Sequence, residues 1–157
     1  MKHLLQELSR LRGFKTVILC VGNILKGDDG AGPRLCELLE GSTCVDVIDG
    51  GSAPENYIGP IVAKDPEVLL IVDAMDFGAL PGTMRIFDPT QLGKSALSTH
   101  YLSPRVLADI INAQIDVQVL LIGIQPAQVH LGKPLSPEVA QAASSLANTI
   151  VSIFSQE

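Results

Sequence analysis

No apolar run in this sequence approaches the roughly 20 residues that a helix needs to cross a bilayer. Val68 to Val72 and Val117 to Ile124 are strand-sized and end in Asp, Gly or Pro, so no membrane partner is expected. The opening Met1-Lys2-His3-Leu4-Leu5 is a poor signal peptide, because Leu4, Leu5, Leu8 and Leu11 are interrupted by Gln6, Glu7, Ser9 and Arg10. That spacing predicts an amphipathic helix over residues 1–13, ending near Gly13. Basic clusters are missing as well: 11 Lys and Arg against 17 Asp and Glu give a formal charge of -6. This argues against nucleic acid as a partner and fits a metal or a basic peptide better. Cysteine is scarce, with Cys20, Cys36 and Cys44 odd in number, far apart and in apolar contexts. They read as reduced core residues of a cytoplasmic protein, not as a zinc or disulfide framework.

What remains is 157 residues with 46% apolar content, enough for one core and one domain over residues 1–157. There is no internal repeat, low-complexity segment or interdomain linker. From Thr16 onward short apolar strands alternate with helical patterns, which predicts an α/β domain with a mostly parallel, five-stranded twisted sheet. The strands are expected at 16–21, 44–48, 68–72, 83–87 (an edge) and 116–123. A helix is expected over 30–39, and another from Ser52, where Ser52 and Glu55 have the spacing of a capping box. Ser103-Pro104 and Ser136-Pro137-Glu138 each combine an N-cap serine with proline at the first helical position. Leu102 and Leu107 are placed as a hydrophobic staple, and Val139, Ala143, Leu146, Ile150 and Phe154 make the stripe of the last helix. Asp88 to Tyr101, which contains His100, has little periodicity and is long for a connection.

The strand-to-helix turn Gly22-Asn23-Ile24-Leu25-Lys26-Gly27-Asp28-Asp29-Gly30-Ala31-Gly32 is glycine-rich, the usual sign of a nucleotide. Both phosphate patterns fail. Asp28-Asp29 stand where a phosphate loop has Lys and Ser/Thr, and Leu35 stands where the dinucleotide fingerprint has its third glycine. Adjacent acids at a helix start have a structural explanation, since each favours the helix dipole by about 0.3–1 kcal/mol. The flanking glycines favour a functional one, because they let backbone approach a partner closely.

Asp73 ends the third strand and Asp49 the second, in Ile48-Asp49-Gly50-Gly51-Ser52. Ligands of open α/β sheets sit outside the carboxyl ends of the strands, so Asp28/Asp29, Asp49 and Asp73 are expected around one crevice. A lone strand-end Asp is commonly a turn former; three strand ends sharing carboxylates are harder to explain that way. Their repulsion would be relieved by a cation or a shared proton. Imidazole is the usual remaining ligand for a borderline divalent metal. His3 and His130 read as surface residues, which leaves His100. No G-x-S-x-G elbow, zincin H-E-x-x-H or aspartic-protease dyad context is present.

The strand followed by Gly22-Asn23-Ile24-Leu25-Lys26-Gly27-Asp28-Asp29-Gly30 resembles the opening signature of the nickel-iron hydrogenase maturation endopeptidases, G-N-x-x-x-x-D-[DE]-G. Asp73 and His100 match that family's other two metal-contacting positions. Asp49-Gly50-Gly51-Ser52-Ala53-Pro54-Glu55-Asn56 and Gly123-Ile124-Gln125-Pro126 are similar to its hydrogenase 3 branch. The helix over 1–13 departs from relatives that begin at the first strand; it is expected to cover a sheet edge or to touch the substrate.

The resemblance implies a three-layer α/β/α sandwich of the phosphorylase/hydrolase-like kind. It implies a cytoplasmic enzyme that removes a C-terminal extension from a hydrogenase large-subunit precursor once nickel is in place. The nickel belongs to the substrate and is met by Asp29, Asp73 and His100. Asp29, Asp49 and Asp73 become the catalytic candidates, and Gly22, Asn23, Asp28, Gly50 and Gly51 the substrate-binding ones. Two other readings stand beside it: a non-catalytic nickel-delivery module using the same ligands, and a nucleotide-binding flavodoxin-like protein, which Asp28-Asp29 disfavour.

Overall fold

The computed structural model describes residues 1–93 and 102–155. Its elements are α1 Lys2–Ser9, β1 Thr16–Val21, α2 Ala31–Leu39, β2 Asp46–Gly51, α3 Ile58–Lys64, β3 Val68–Ala74, β4 Met84–Phe87, α4 Pro104–Asn112, β5 Gln118–Ile124 and α5 Pro137–Phe154. The strands form one sheet in the order β2-β1-β3-β5-β4. All neighbours are parallel except β4, which pairs antiparallel with β5 at the edge. β1 and β3 are buried at every position, as expected for central strands covered on both faces.

Side-chain alternation along these strands builds two apolar layers. Ile18, Cys20, Leu70, Val72 and Ile122 face α1, α2 and α5. Val17, Leu19, Leu69, Ile71 and Leu121 face Ile61 of α3 and Leu107 and Ile111 of α4. The fold is thus the expected three-layer α/β/α sandwich with five strands. Each fully buried Leu or Ile contributes about 1.5–3 kcal/mol to holding these layers together. Among the described residues no helix is long and apolar enough to cross a membrane.

Both Ser-Pro helix starts form as their chemistry dictates. Ser103 Oγ accepts from the Val106 N–H at 3.3 Å, and Ser136 Oγ accepts from the Val139 N–H at 3.4 Å. The five stripe residues of α5 are all buried. The box at Ser52 does not form. Residues Pro54–Tyr57 make a 3-10 turn, α3 starts only at Ile58, and neither start has a side-chain cap. Pro54 disfavours the helical region for the residue before it, and Ala53 stands at φ -133° and ψ 64°, so the helix is delayed by a turn.

β2 differs at both ends from the expected 44–48. It starts at Asp46 and runs through Asp49-Gly50-Gly51, because Gly51 finds a ladder partner in Val21 across a register irregularity after Cys20. Cys44 therefore lies outside the strand and is exposed, contrary to its reading as a core residue; its thiol donates to the Phe154 carbonyl at 2.6 Å. Cys20 is buried and Cys36 half-buried, and all three thiols are free. The N-terminal segment is helical only to Ser9, with turns carrying it to residue 13. Its Leu4, Leu8 and Leu11 are buried in the layer shared with α5, and the helix also reaches β4, the sheet edge.

Candidate functional site

The chain leaves β1 at Gly22, whose N–H donates to the Gly51 carbonyl at 2.9 Å and so joins the β1 and β2 exits. Gly22 has φ +151°, and a Cβ there would collide with the Asp29 carbonyl. Only glycine lets the returning turn lie this close. Asn23 then folds the loop: its Oδ1 accepts from the Leu25 N–H at 2.9 Å and its carbonyl from the Lys26 N–H at 3.1 Å. The Asn23 N–H donates to Asp29 Oδ2 at 3.0 Å. The two acids sit in a 3-10 turn, Gly27–Gly30, that runs directly into α2, at the helix start where they are expected.

Asp28 and Asp29 take different surroundings although they are adjacent. Asp28 is completely buried and accepts four hydrogen bonds. These come from the N–H groups of Ala127 at 2.8 Å, Gln128 at 3.3 Å and Ser136 at 2.6 Å, and from Ser136 Oγ at 2.9 Å. The carboxylate therefore organises the 126–136 segment. Backbone pairing reinforces the join, with Gly27 N–H donating to the Lys133 carbonyl and Asp28 N–H to the Gln128 carbonyl, each at 3.0 Å. Asp29, 1% exposed, lines a cavity of about 200 Å³ together with Ala74, Asp76 and the 126–129 segment.

Asp73 lies within β3 and not beyond it, 2% exposed and in register with Gly123. It alternates with Leu69 and Ile71 onto the face covered by α3 and α4, one strand over from the exit of β1. Asp49, in register with Cys20, is exposed, and its Oδ1 accepts from the Gly51 N–H at 3.1 Å. It lines a second, larger cavity of about 780 Å³ between α2 and β2. Gly27 and Gly30 line this one too, so the acidic turn separates Asp29 on one side from Asp49 on the other. Gly50 is buried against Leu19 and the Cys20 carbonyl, while Gly51, at φ +53°, faces open space. His100 lies outside the described residues; the chain resumes at Leu102, which packs on the Asp73 face just ahead of α4. Among the described residues there is no cluster of three or more His, Cys, Asp or Glu side chains that could hold a metal ion. His3 and His130 are exposed, as expected.

Two features escaped the sequence. Gln125 is 6% exposed and stitches the 76–79 loop to β5: its Oε1 accepts from the N–H groups of Phe77 and Ala79 at 2.9 and 3.2 Å, and its Nε2 donates to Asp76 Oδ1 at 3.0 Å. The Gln125 amide, then the Gly78 N–H, hold the Asp76 carboxyl below its ordinary range. The second feature is a thiol pair. Cys20 donates to Cys36, which together with burial pushes the Cys20 thiol well up, while accepting that bond brings Cys36 down against burial and the nearby Asp49 and Glu40. Gln125 stands in the Gly123-Ile124-Gln125-Pro126 stretch, but no local spacing marks it as the partner of a loop 48 and 49 positions upstream. The thiol contact joins a strand to a helix and has no sequence spacing to announce it.

The chain is 41% identical over 133 residues to the hydrogenase 3 maturation protease of Escherichia coli K12, covering 83% of this chain and 85% of that protein. It is 35% identical over 146 residues to a putative hydrogenase maturation protease of Methanocaldococcus jannaschii, covering 86% and 93% of the two chains. The crystal structure of the nickel-iron hydrogenase maturation protease HycI from Thermococcus kodakarensis superposes with a TM-score of 0.87 at 33% identity, over 98% of this chain and 99% of that one. The solution structure of the endopeptidase HycI from Escherichia coli gives a TM-score of 0.79 at 39% identity, over 88% and 90%. Residues 33–153 match the HycI family of hydrogenase maturation proteases, and with more than half its length so matched, the chain belongs to that family.

Proposed function

We propose that this protein is a cytoplasmic endopeptidase that removes the C-terminal extension of a nickel-iron hydrogenase large-subunit precursor after nickel insertion. The observation that carries the reading is the setting of Asp29. A carboxylate buried at the exit of β1 is fixed by the Asn23 N–H and stands one strand from the buried Asp73. Two acids held out of bulk water at neighbouring strand ends suit a divalent cation brought by the substrate, and His100 supplies imidazole to complete the set. Nickel carried by the precursor is thus the feature recognised, and it polarises groups near the scissile peptide when bound.

The chain's own residues do the remainder. Gly22 and Asn23 set the loop, Asp28 holds it from behind through Ala127, Gln128 and Ser136, and Gly50 and Gly51 shape the neighbouring strand end. A carboxylate, Asp49 or Asp29, takes a proton from water as the oxygen adds to the scissile carbonyl carbon; the C–N bond then breaks and the leaving amine takes the proton. Asp49 is exposed and has one oxygen fixed by the Gly51 N–H.

Mass spectrometry of nickel-loaded and nickel-free large-subunit precursor tests this. The expected result is a mass loss equal to the extension for the loaded precursor only, abolished by Asp29→Asn, Asp73→Asn or His100→Ala in proteins that retain their circular dichroism. An unchanged mass together with tight nickel binding by the isolated protein would make it a delivery module instead.

A further inference from the structure

The 780 Å³ cavity between α2 and β2 is larger than a bound water or proton transfer at Asp49 requires. Its apolar lining comes from Pro33 of α2, Val47 of β2, Leu135 and Ile24. Ile24 is 70% exposed, and beside it stand Leu25 at 62% and Leu131 at 75%. These three are held in water by structure, not by disorder: Gly132 N–H donates to the Leu25 carbonyl at 2.8 Å, and Lys26 bridges Leu131 in antiparallel fashion. A rim of large apolar side chains braced around a groove marks a protein-binding surface. The charged lining is acidic. Arg34 is engaged by Glu37 at 2.8 Å, which leaves Glu40 and Asp49 with no lining cation of their own.

We infer that this groove receives the C-terminal extension of the precursor as an extended peptide carrying both apolar and basic side chains. The apolar ones meet Ile24, Val47 and Leu135, and the basic ones meet Glu40 and the acidic end at Asp49. This rests on the proteolytic reading and specifies its substrate: a chain cleaved near the 27–30 turn has to leave along one of the two cavities that this turn separates. Both carry acids, but the larger adds length and an apolar wall of Ile24, Val47 and Leu135 beside them.

Fluorescence anisotropy with two short labelled peptides, one alternating Leu and Lys and one alternating Leu and Glu, tests the groove without any turnover. The Leu/Lys peptide is expected to bind roughly tenfold more tightly, with a preference that falls as salt rises. Glu40→Lys should remove most of that preference, and Ile24→Ser should weaken both peptides. Asp29→Asn should bind like wild type while cleaving nothing. With precursor, Glu40→Lys should raise KM more than it lowers kcat. Equal binding of the two peptides, or binding untouched by both groove variants, would overturn the inference even if precursor is processed. Absence of processing by the wild type would instead overturn the proteolytic reading, and the anisotropy would still decide the groove.

Discussion

Ser136 reaches Asp28 twice, through its backbone N–H at 2.6 Å and its hydroxyl at 2.9 Å, while the same hydroxyl oxygen caps α5 by accepting from Val139. One serine therefore starts the last helix and locks the acidic turn. Hydrogen bonds to a buried charge are worth about 1.5–3 kcal/mol each, and unpaired buried donors carry a further penalty. Asp28→Ala is expected to cost about 3 kcal/mol or more, read as a lowered urea midpoint. Asp28→Asn should be nearly as costly, because an amide NH2 would face donors. Asp29→Asn should act on cleavage, read as lost processing of the precursor.

Gly22 and Gly51 are hydrogen-bonded neighbours with opposite tolerance. A Cβ on Gly22 would collide with the Asp29 carbonyl, whereas one on Gly51 would point into open space. Gly51→Ala should cost about 1 kcal/mol, the strain of its positive φ. Gly22→Ala should cost several times that or displace the 27–30 turn, so processing should fall much further than in Gly51→Ala. Thermal melts beside cleavage rates for the two variants check both statements.

Gln125 is the larger of the two influences that hold the Asp76 carboxyl below its usual range. The contribution of Asp76 to stability is therefore present above the ordinary carboxylate pKa and is lost as pH falls through its lower folded value. In Gln125→Leu the Asp76 midpoint should move upward, though not fully to the unperturbed value, since the Gly78 N–H remains 3.1 Å from the carboxylate. An NMR titration of the Asp76 carboxyl in both proteins reads this directly. Loss of the Phe77 and Ala79 contacts should also speed amide exchange in that loop.

The thiols should react in an order set by their pairing. Cys36, lowered by the hydrogen bond from Cys20, is expected to be alkylated by iodoacetamide well before buried Cys20 at neutral pH. In Cys20→Ala that bond is gone, so the pH midpoint of Cys36 labelling should rise and its neutral rate should fall. Mass spectrometry of peptides from a labelling time course separates the sites. An unchanged Cys36 midpoint would show that the pair does not set its reactivity.

Local signals were the most legible part of this sequence. The two Ser-Pro starts, the staple around α4 and the α5 stripe lie within a few residues of their own partners, so spacing alone identifies them. The Ser52 box had the right letters and failed because Pro54 sits inside it. The end of β2 was misread because Asp-Gly-Gly normally breaks a strand, while here Gly51 is kept in the ladder by Val21. For the site, the acids at the exits of β1, β2 and β3 were visible from topology, but their meeting in one crevice was not realised for Asp49, which lines a different cavity from Asp29. The division of labour between Asp28 and Asp29 was not, since it is decided by Ala127, Gln128 and Ser136, about a hundred positions downstream.

That separation has a consequence for the newborn chain. At about 5–20 residues per second, β1 and the acidic turn leave the ribosome seconds before residues 126–136 exist. Until then Asp28 has none of the four donors that hold it. The acidic turn is locked only once Ser136 has been made, so a chain stalled before that point would carry both acids without the contacts that hold Asp28 in place.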